Sequence, residues 1–224
     1  MSARNQYVFL FFVFLLFFSF SCIHLSAQNI EWEIKSHSTR LETLKEEVTA
    51  NMQRGFVPIG LTYDNVELYI LYIKGLGQEV EGWLIEWYNN RDELLEGISG
   101  EMNKGYLPTG IAYAGDTIYV LFIHSKNTAT SWRIEPSETD LRKVQEKIHP
   151  WIDQGYFPMD ITSNEGTYVT LLVALERTVI KSWTIERYEV GTHGDAINAN
   201  IRQGFIPWGI MYRGDVIDIL YVGI

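Results

Sequence analysis

Three glutamates recur at one place along this chain. Glu86, Glu135 and Glu186 each stand three residues after a tryptophan, and Lys35 holds the corresponding place after Trp32. Two carboxylates facing one another across an axis can serve as acid and base on a glycoside. The same placement also suits a polar strand face or a charge at a helix N-terminus. Metal chemistry needs three or four converging ligands. Beyond residue 27 the histidines are His37, His124, His149 and His193, with no His-x-Glu or His-x-x-x-His pair. No Gly-x-Ser-x-Gly elbow, phosphate-binding Gly-x-x-x-x-Gly-Lys-Ser/Thr loop or Asp-x-Asp-x-Asp-Gly calcium loop is present. The single cysteine is Cys22, so the chain beyond it has no thiolate nucleophile and no thiolate metal site. No catalytic residue, metal or cofactor is assigned from the sequence.

The tryptophans and glutamates belong to an internal repeat. Gly55-Phe56-Val57-Pro58-Ile59-Gly60-Leu61 returns as Gly105–Ile111, Gly155–Ile161 and Gly204–Ile210, and four of the six prolines fall on its one Pro position. Trp32-x-Ile34, Trp83-x-Ile85, Trp132-x-Ile134 and Trp183-x-Ile185 recur in step with it. Two markers in phase over four copies divide residues 28–224 into units 28–77, 78–127, 128–177 and 178–224, which form one domain.

Each unit predicts the same elements. The Trp-x-Ile stretch alternates apolar and polar residues, as a half-buried strand does. Helix caps follow, at Asn90 three before Glu93 and at Ser137 three before Asp140. Leu41, Leu44, Val48 and Met52, and likewise Leu141, Val144, Ile148 and Ile152, set one apolar stripe along a helix. Gly55, Gly105, Gly155 and Gly204 close these helices in the left-handed conformation. In the fourth unit Gly191, Gly194 and Asn198 weaken the helix. The proline then opens a second strand, and a tight turn leads to a third.

The unit is therefore β-α-β-β in a mixed α/β (α+β) chain. The first two strands are expected as a parallel pair joined by a right-handed crossover. The third strands, such as Tyr69–Ile73 and Tyr119–Ile123, are apolar on both faces and need a second covering layer. An open stack of repeats would leave bare edge strands. Closure into a pseudo-fourfold ring, with Val216–Ile224 beside Glu31–Lys35, avoids this. The alternative is two packed α/β layers made of repeat pairs.

The repeat resembles the tandem βαββ repeats of bacterial secreted proteins, some of which are fused to serine-hydrolase-type domains. The resemblance spans all four units. It rests on Trp32, Trp83, Trp132 and Trp183, on the helix-ending glycines and on the apolar strands after them. The prolines at 58, 108, 158 and 207 depart from it. It implies an extracytoplasmic accessory or binding role and carries over no catalytic residue.

The N-terminus supports export. Arg4 precedes an uncharged apolar run from Tyr7 to Phe20, and Leu25-Ser26-Ala27 supplies a small-residue cleavage site, so residues 1–27 read as a signal peptide. The protein is expected to be secreted or periplasmic. In the alternative, Cys22 is acylated and tethers a cell-envelope protein, the one route to membrane attachment. Residues 28–224 carry 17 Lys+Arg against 28 Asp+Glu, a net of −11. That balance argues against nucleic acid as a partner.

Binding candidates come from what recurs and from what breaks the repeat. Tyr63, Tyr113 and Tyr212 precede the second turn of their units, where tyrosine offers an amphipathic platform to a sugar or a peptide. Ser163 replaces them in unit three. Trp208 is the one aromatic at its position, Asp160 stands where Gly60, Gly110 and Gly209 stand elsewhere, and His149-Pro150-Trp151 is unique to unit three. The leading expectation is a non-enzymatic, exported repeat domain that binds or scaffolds a protein or cell-envelope component, with a protein or glycan ligand. The second is a hydrolase of envelope polymer using carboxylates such as Glu86 and Glu135.

Overall fold

A computed structural model describes residues 30–77, 80–126, 129–137, 140–176 and 179–223. The proposed signal peptide and its processing sites lie outside the described residues. The chain runs β1 (Glu31–His37), α1 (Leu41–Gln53), β2 (Val57–Tyr63), β3 (Leu68–Lys74) in the first unit and β4 (Val80–Tyr88), α2 (Arg91–Asn103), β5 (Tyr106–Ala114), β6 (Thr117–Ser125) in the second. The third unit holds β7 (Ala129–Ser137), α3 (Leu141–Asp153), β8 (Tyr156–Asn164) and β9 (Thr167–Leu175). The fourth holds β10 (Ser182–Glu189), α4 (His193–Arg202), β11 (Phe205–Arg213) and β12 (Val216–Gly223). No helix among the described residues is long and apolar enough to cross a membrane.

Local chemistry explains these boundaries. Asn90 caps α2, its side chain accepting the Glu93 N–H, while Glu93 reaches back to the Asn89 N–H. At α3 the cap is Asp140, accepting the Arg142 N–H. Ser137, expected as a cap, is instead the buried last residue of β7. The four helix-closing glycines all sit at φ between +87° and +91°. Helix α4 has 10 residues against 13 in each of the others, as its glycines lead one to expect. The proline does not open the second strand but follows its first residue or two.

Each unit folds its three strands into a separate antiparallel sheet, in the orders β1-β3-β2, β4-β6-β5, β7-β9-β8 and β10-β12-β11. This corrects the expected parallel neighbours. The first and second strands do run parallel, but the third lies between them and pairs with both. The most apolar strand thereby takes the central place. The expected pairing of Val216–Ile224 with Glu31–Lys35 is likewise absent, because β12 pairs with β10 and β11 and β1 pairs with β3.

The sheets meet by packing. Each helix lies between its own sheet and the sheet of the following unit. Leu44 and Val48 of α1 share one buried cluster with Leu68, Ile70 and Tyr72 of β3 and with Ile85 and Leu121 of the second unit. Val144 and Ile148 of α3 do the same with Tyr168 and Leu172 and with Ile185 and Leu220 of the fourth. Helix α4 meets the first unit, where Asn198 Oδ1 accepts the indole N–H of Trp32 at 2.9 Å. The third strands therefore carry apolar residues on both faces because both faces are covered.

The second strands are the inner edges. β2 lies against β5, β5 against β8, β8 against β11, and β11 against β2. Each carries a bulge immediately after its proline. Beyond the bulge, equivalent residues from the four units converge. A Cβ on Gly110 would stand 2.7 Å from Leu61 Cβ and 2.8 Å from its backbone nitrogen, and one on Gly60 would stand 3.3 Å from Gly209 Cα. At the fourth such position is Asp160, wholly buried.

Gly110→Ala should cost about 3 kcal/mol through this clash. Gly155→Ala, with open space around it but φ +90°, should cost only about 1 kcal/mol through strain. Urea unfolding of the two variants measures both; equal losses would contradict the convergence of the inner strands.

Candidate functional site

Asp160, expected as a ligand contact, is placed in the interior. Its Oδ2 accepts the N–H of Leu61 at 3.0 Å and of Ile111 at 2.9 Å, and its Oδ1 accepts the N–H of Ile210 at 3.1 Å. The N–H of Ile161 adds a further bond. Burial pushes this carboxyl well above the usual carboxylate range, and the N–H donors from all four units pull against that rise. Its oxygens are thus taken up by the fold.

Trp208 is also interior, at 4% exposure, edge-on to Phe157 with ring centroids 4.9 Å apart. Tyr63, Tyr113 and Tyr212 are half-buried. Tyr212 packs against Tyr69 of the first unit at 4.5 Å between centroids, and its N–H donates to Thr62 Oγ1. Burial raises the phenol pKa of both Tyr113 and Tyr212. Two of the repeated glutamates are engaged separately, each within its own unit. Glu135 is held by Lys147 of α3 and by Arg133, and Glu186 by Asn200 of α4 and the Tyr188 hydroxyl. In unit one Lys35 likewise reaches Asn51 of its own helix. Among the described residues no three His, Cys, Asp or Glu side chains gather as a metal site.

Two polar clusters escaped the sequence reading. In the first unit buried His37 bridges Glu47 and Tyr72, with Nδ1 2.7 Å from the Glu47 carboxylate and Nε2 2.9 Å from the Tyr72 hydroxyl. A neutral ring with Nδ1–H donating to Glu47 and Nε2 accepting from Tyr72 satisfies all three groups. Tyr72 and His37 are buried, so only the Glu47 end of this carboxylate–imidazole–phenol chain reaches solvent. At the junction of units three and four, Asp218 is fully buried and bound by Arg187 through Nε at 2.7 Å and Nη2 at 3.0 Å. The Tyr168 hydroxyl donates to the same carboxylate at 2.9 Å, and Arg213 reaches that hydroxyl at 2.7 Å. The signal for this clamp was present: Asp218 is the one charge within Val216–Gly223.

An open groove of about 700 Å³ lies where α3 meets β10. Gln145, Glu146, His149 and Pro150 form its helical wall, and Ser182, Trp183 and Thr184 face them from the fourth unit. Part of Trp183 packs on the Val144–Ile148 cluster. His149 stands six residues before the helix-closing glycine, the place held by Ser99 and Asn198 in other units. There Ser99 accepts the Trp132 indole N–H at 3.2 Å, as Asn198 accepts that of Trp32. The Trp183 indole N–H has no hydrogen-bond partner among the described residues. The His149-Pro150 break in the repeat thus coincides with the groove.

No family model, curated protein or solved structure matches this chain.

His37 supplies a pH test. Burial lowers its pKa, opposed by Glu47. A lowered histidine pKa gives stability that is present above the unfolded value of about 6.5 and lost as pH falls through the folded value. His193, also lowered by burial, acts in the same direction. The urea midpoint of the wild type should therefore fall more steeply below about pH 6.5 than that of His37→Gln; parallel pH profiles would contradict the neutral bridge.

Proposed function

We propose that this protein is an exported, non-enzymatic binding module, secreted or periplasmic, whose ligand is a protein or cell-envelope component. The observation that carries the reading is the groove between α3 and β10, an aromatic and polar wall built where the third unit departs from the repeat. Solvent-facing polar groups around one aromatic anchor are suited to holding a ligand. The carboxylates that recur through the repeat are engaged singly beneath separate helices, at Glu135 and Glu186. That placement favours binding over two-carboxylate hydrolysis.

In this reading the four units close as a pseudo-fourfold ring. The contacts of α4 with Trp32, of Tyr212 with Tyr69 and of β11 with β2 support that over two packed layers. Closure would hold the groove on a rigid frame, one seam among four. The N-terminal Tyr7–Phe20 run and Ala27 support export, with Cys22 acylation as the anchored variant.

Sedimentation with purified peptidoglycan sacculi tests the module. The protein should pellet with the sacculi, leave soluble sugar unchanged over hours, and pellet less after Trp183→Ala. Release of soluble fragments, abolished by Glu86→Gln or Glu135→Gln, would overturn the reading in favour of a hydrolase. Protein that stays in the supernatant would remove the envelope polymer as its ligand.

A further inference from the structure

The chemistry of the groove narrows the ligand class, and this step rests on the binding-module reading above. Pro150 lies inside α3 and has no N–H, so the Glu146 carbonyl one turn earlier lacks its helical donor. Glu146 and Pro150 both line the groove, so the helical turn that carries this carbonyl borders it. Opposite it the Trp183 indole N–H is a donor without a partner among the described residues. Gln145, held to Thr184 Oγ1 at 3.3 Å, and Ser182 add groups that both donate and accept. An aromatic surface flanked by separated donors and acceptors matches a ring that is apolar on its face and hydroxylated at its edge. Glu146 and Asp153 line the same groove, and they and the chain's net negative charge disfavour a polyanion.

We propose that the α3–β10 groove is a saccharide site. Its ligand is an uncharged or N-acetylated oligosaccharide, with one sugar face on the Trp183 indole and its hydroxyls shared between the Trp183 N–H and the Glu146 carbonyl. Both features follow from residues peculiar to this seam. His149 replaces the side chain that caps the tryptophan at two other seams, and Pro150 frees the carbonyl. Pro150 is therefore a specificity-determining residue.

NMR titration with chitotetraose and with cellotetraose tests this on the intact protein. One of the two should shift the Trp183 indole N–H resonance in a saturable way, and Trp183→Ala should weaken that binding at least tenfold. Pro150→Ala restores the helical N–H. It should raise the thermal unfolding midpoint and yet weaken saccharide binding several-fold, a pairing that a merely structural role would not produce. Unchanged or tighter binding by Pro150→Ala would overturn the assignment of the carbonyl. If neither sugar shifts Trp183 while the protein still pellets with sacculi, the saccharide site is wrong and the binding module stands. If a peptide shifts Trp183 and sugars do not, the groove is a peptide site and the proposal falls. If sugars leave Trp183 unmoved and sacculi are not bound, the saccharide site is wrong and the envelope polymer is removed as the module's ligand.

Discussion

Four edge strands meeting in a protein interior carry N–H groups with no ladder to join, and their burial is the constraint on which this fold turns. In water an edge N–H is satisfied by solvent; buried and unpaired, it costs about 1–3 kcal/mol. Here β2, β5, β8 and β11 pack on one another without pairing as strands. One carboxylate resolves the conflict. Asp160 extends from β8 and accepts backbone N–H groups from β2, β5 and β11. Side chains are crowded out of the equivalent positions: a Cβ on Gly209 would stand 2.7 Å from Asp160 Oδ1, and one on Gly110 2.7 Å from Leu61 Cβ. The break in the repeat at residue 160 is thus what lets the other quarters stay alike.

The outer part of the molecule follows from the same geometry. With the second strands turned inward, the third strands become the centres of their sheets, and each helix is pressed between two sheets. That explains why Leu68, Ile70 and Tyr72 on one face and Leu71 and Ile73 on the other are all buried. It also locates the polar clusters. His37 with Glu47 and Tyr72, and Asp218 with Arg187 and Tyr168, sit where a sheet face meets a helix or a neighbouring unit. Each is satisfied within the fold. A groove opens at one of the seams between a helix and the next unit.

Much of this was legible in the residues. The phase of the Trp-x-Ile and Gly-aromatic-x-Pro markers gives four units, and the left-handed glycines mark the helix ends, with φ near +90° at all four. The shortened fourth helix was readable from Gly191 and Gly194. Strand order was not. Apolar residues on both faces of Tyr69–Ile73 show that both faces are covered, yet a β-α-β unit can place its third strand outside or between the other two. The role of Asp160 was also hidden, because its partners are backbone groups 49 to 99 residues away and no side-chain pattern reports them. From spacing alone Tyr63, Tyr113 and Tyr212 offered platforms to a sugar or a peptide. Tyr212 instead fills a seam against Tyr69. For the groove, the visible signal was His149-Pro150-Trp151, whose meaning depended on Trp183 of the next unit standing opposite.

The most direct test of the central carboxylate is native-state hydrogen exchange of the Leu61, Ile111 and Ile210 amides in the wild type and in Asp160→Asn. Asparagine keeps the shape but presents an N–H₂ donor to groups that are themselves donors. The account predicts that these three amides, from three different units, are among the slowest to exchange in the wild type. In the variant they should lose protection together, by about tenfold or more, for each 1.4 kcal/mol of lost stability is a factor of ten. Unchanged protection, or loss confined to the third unit, would contradict it.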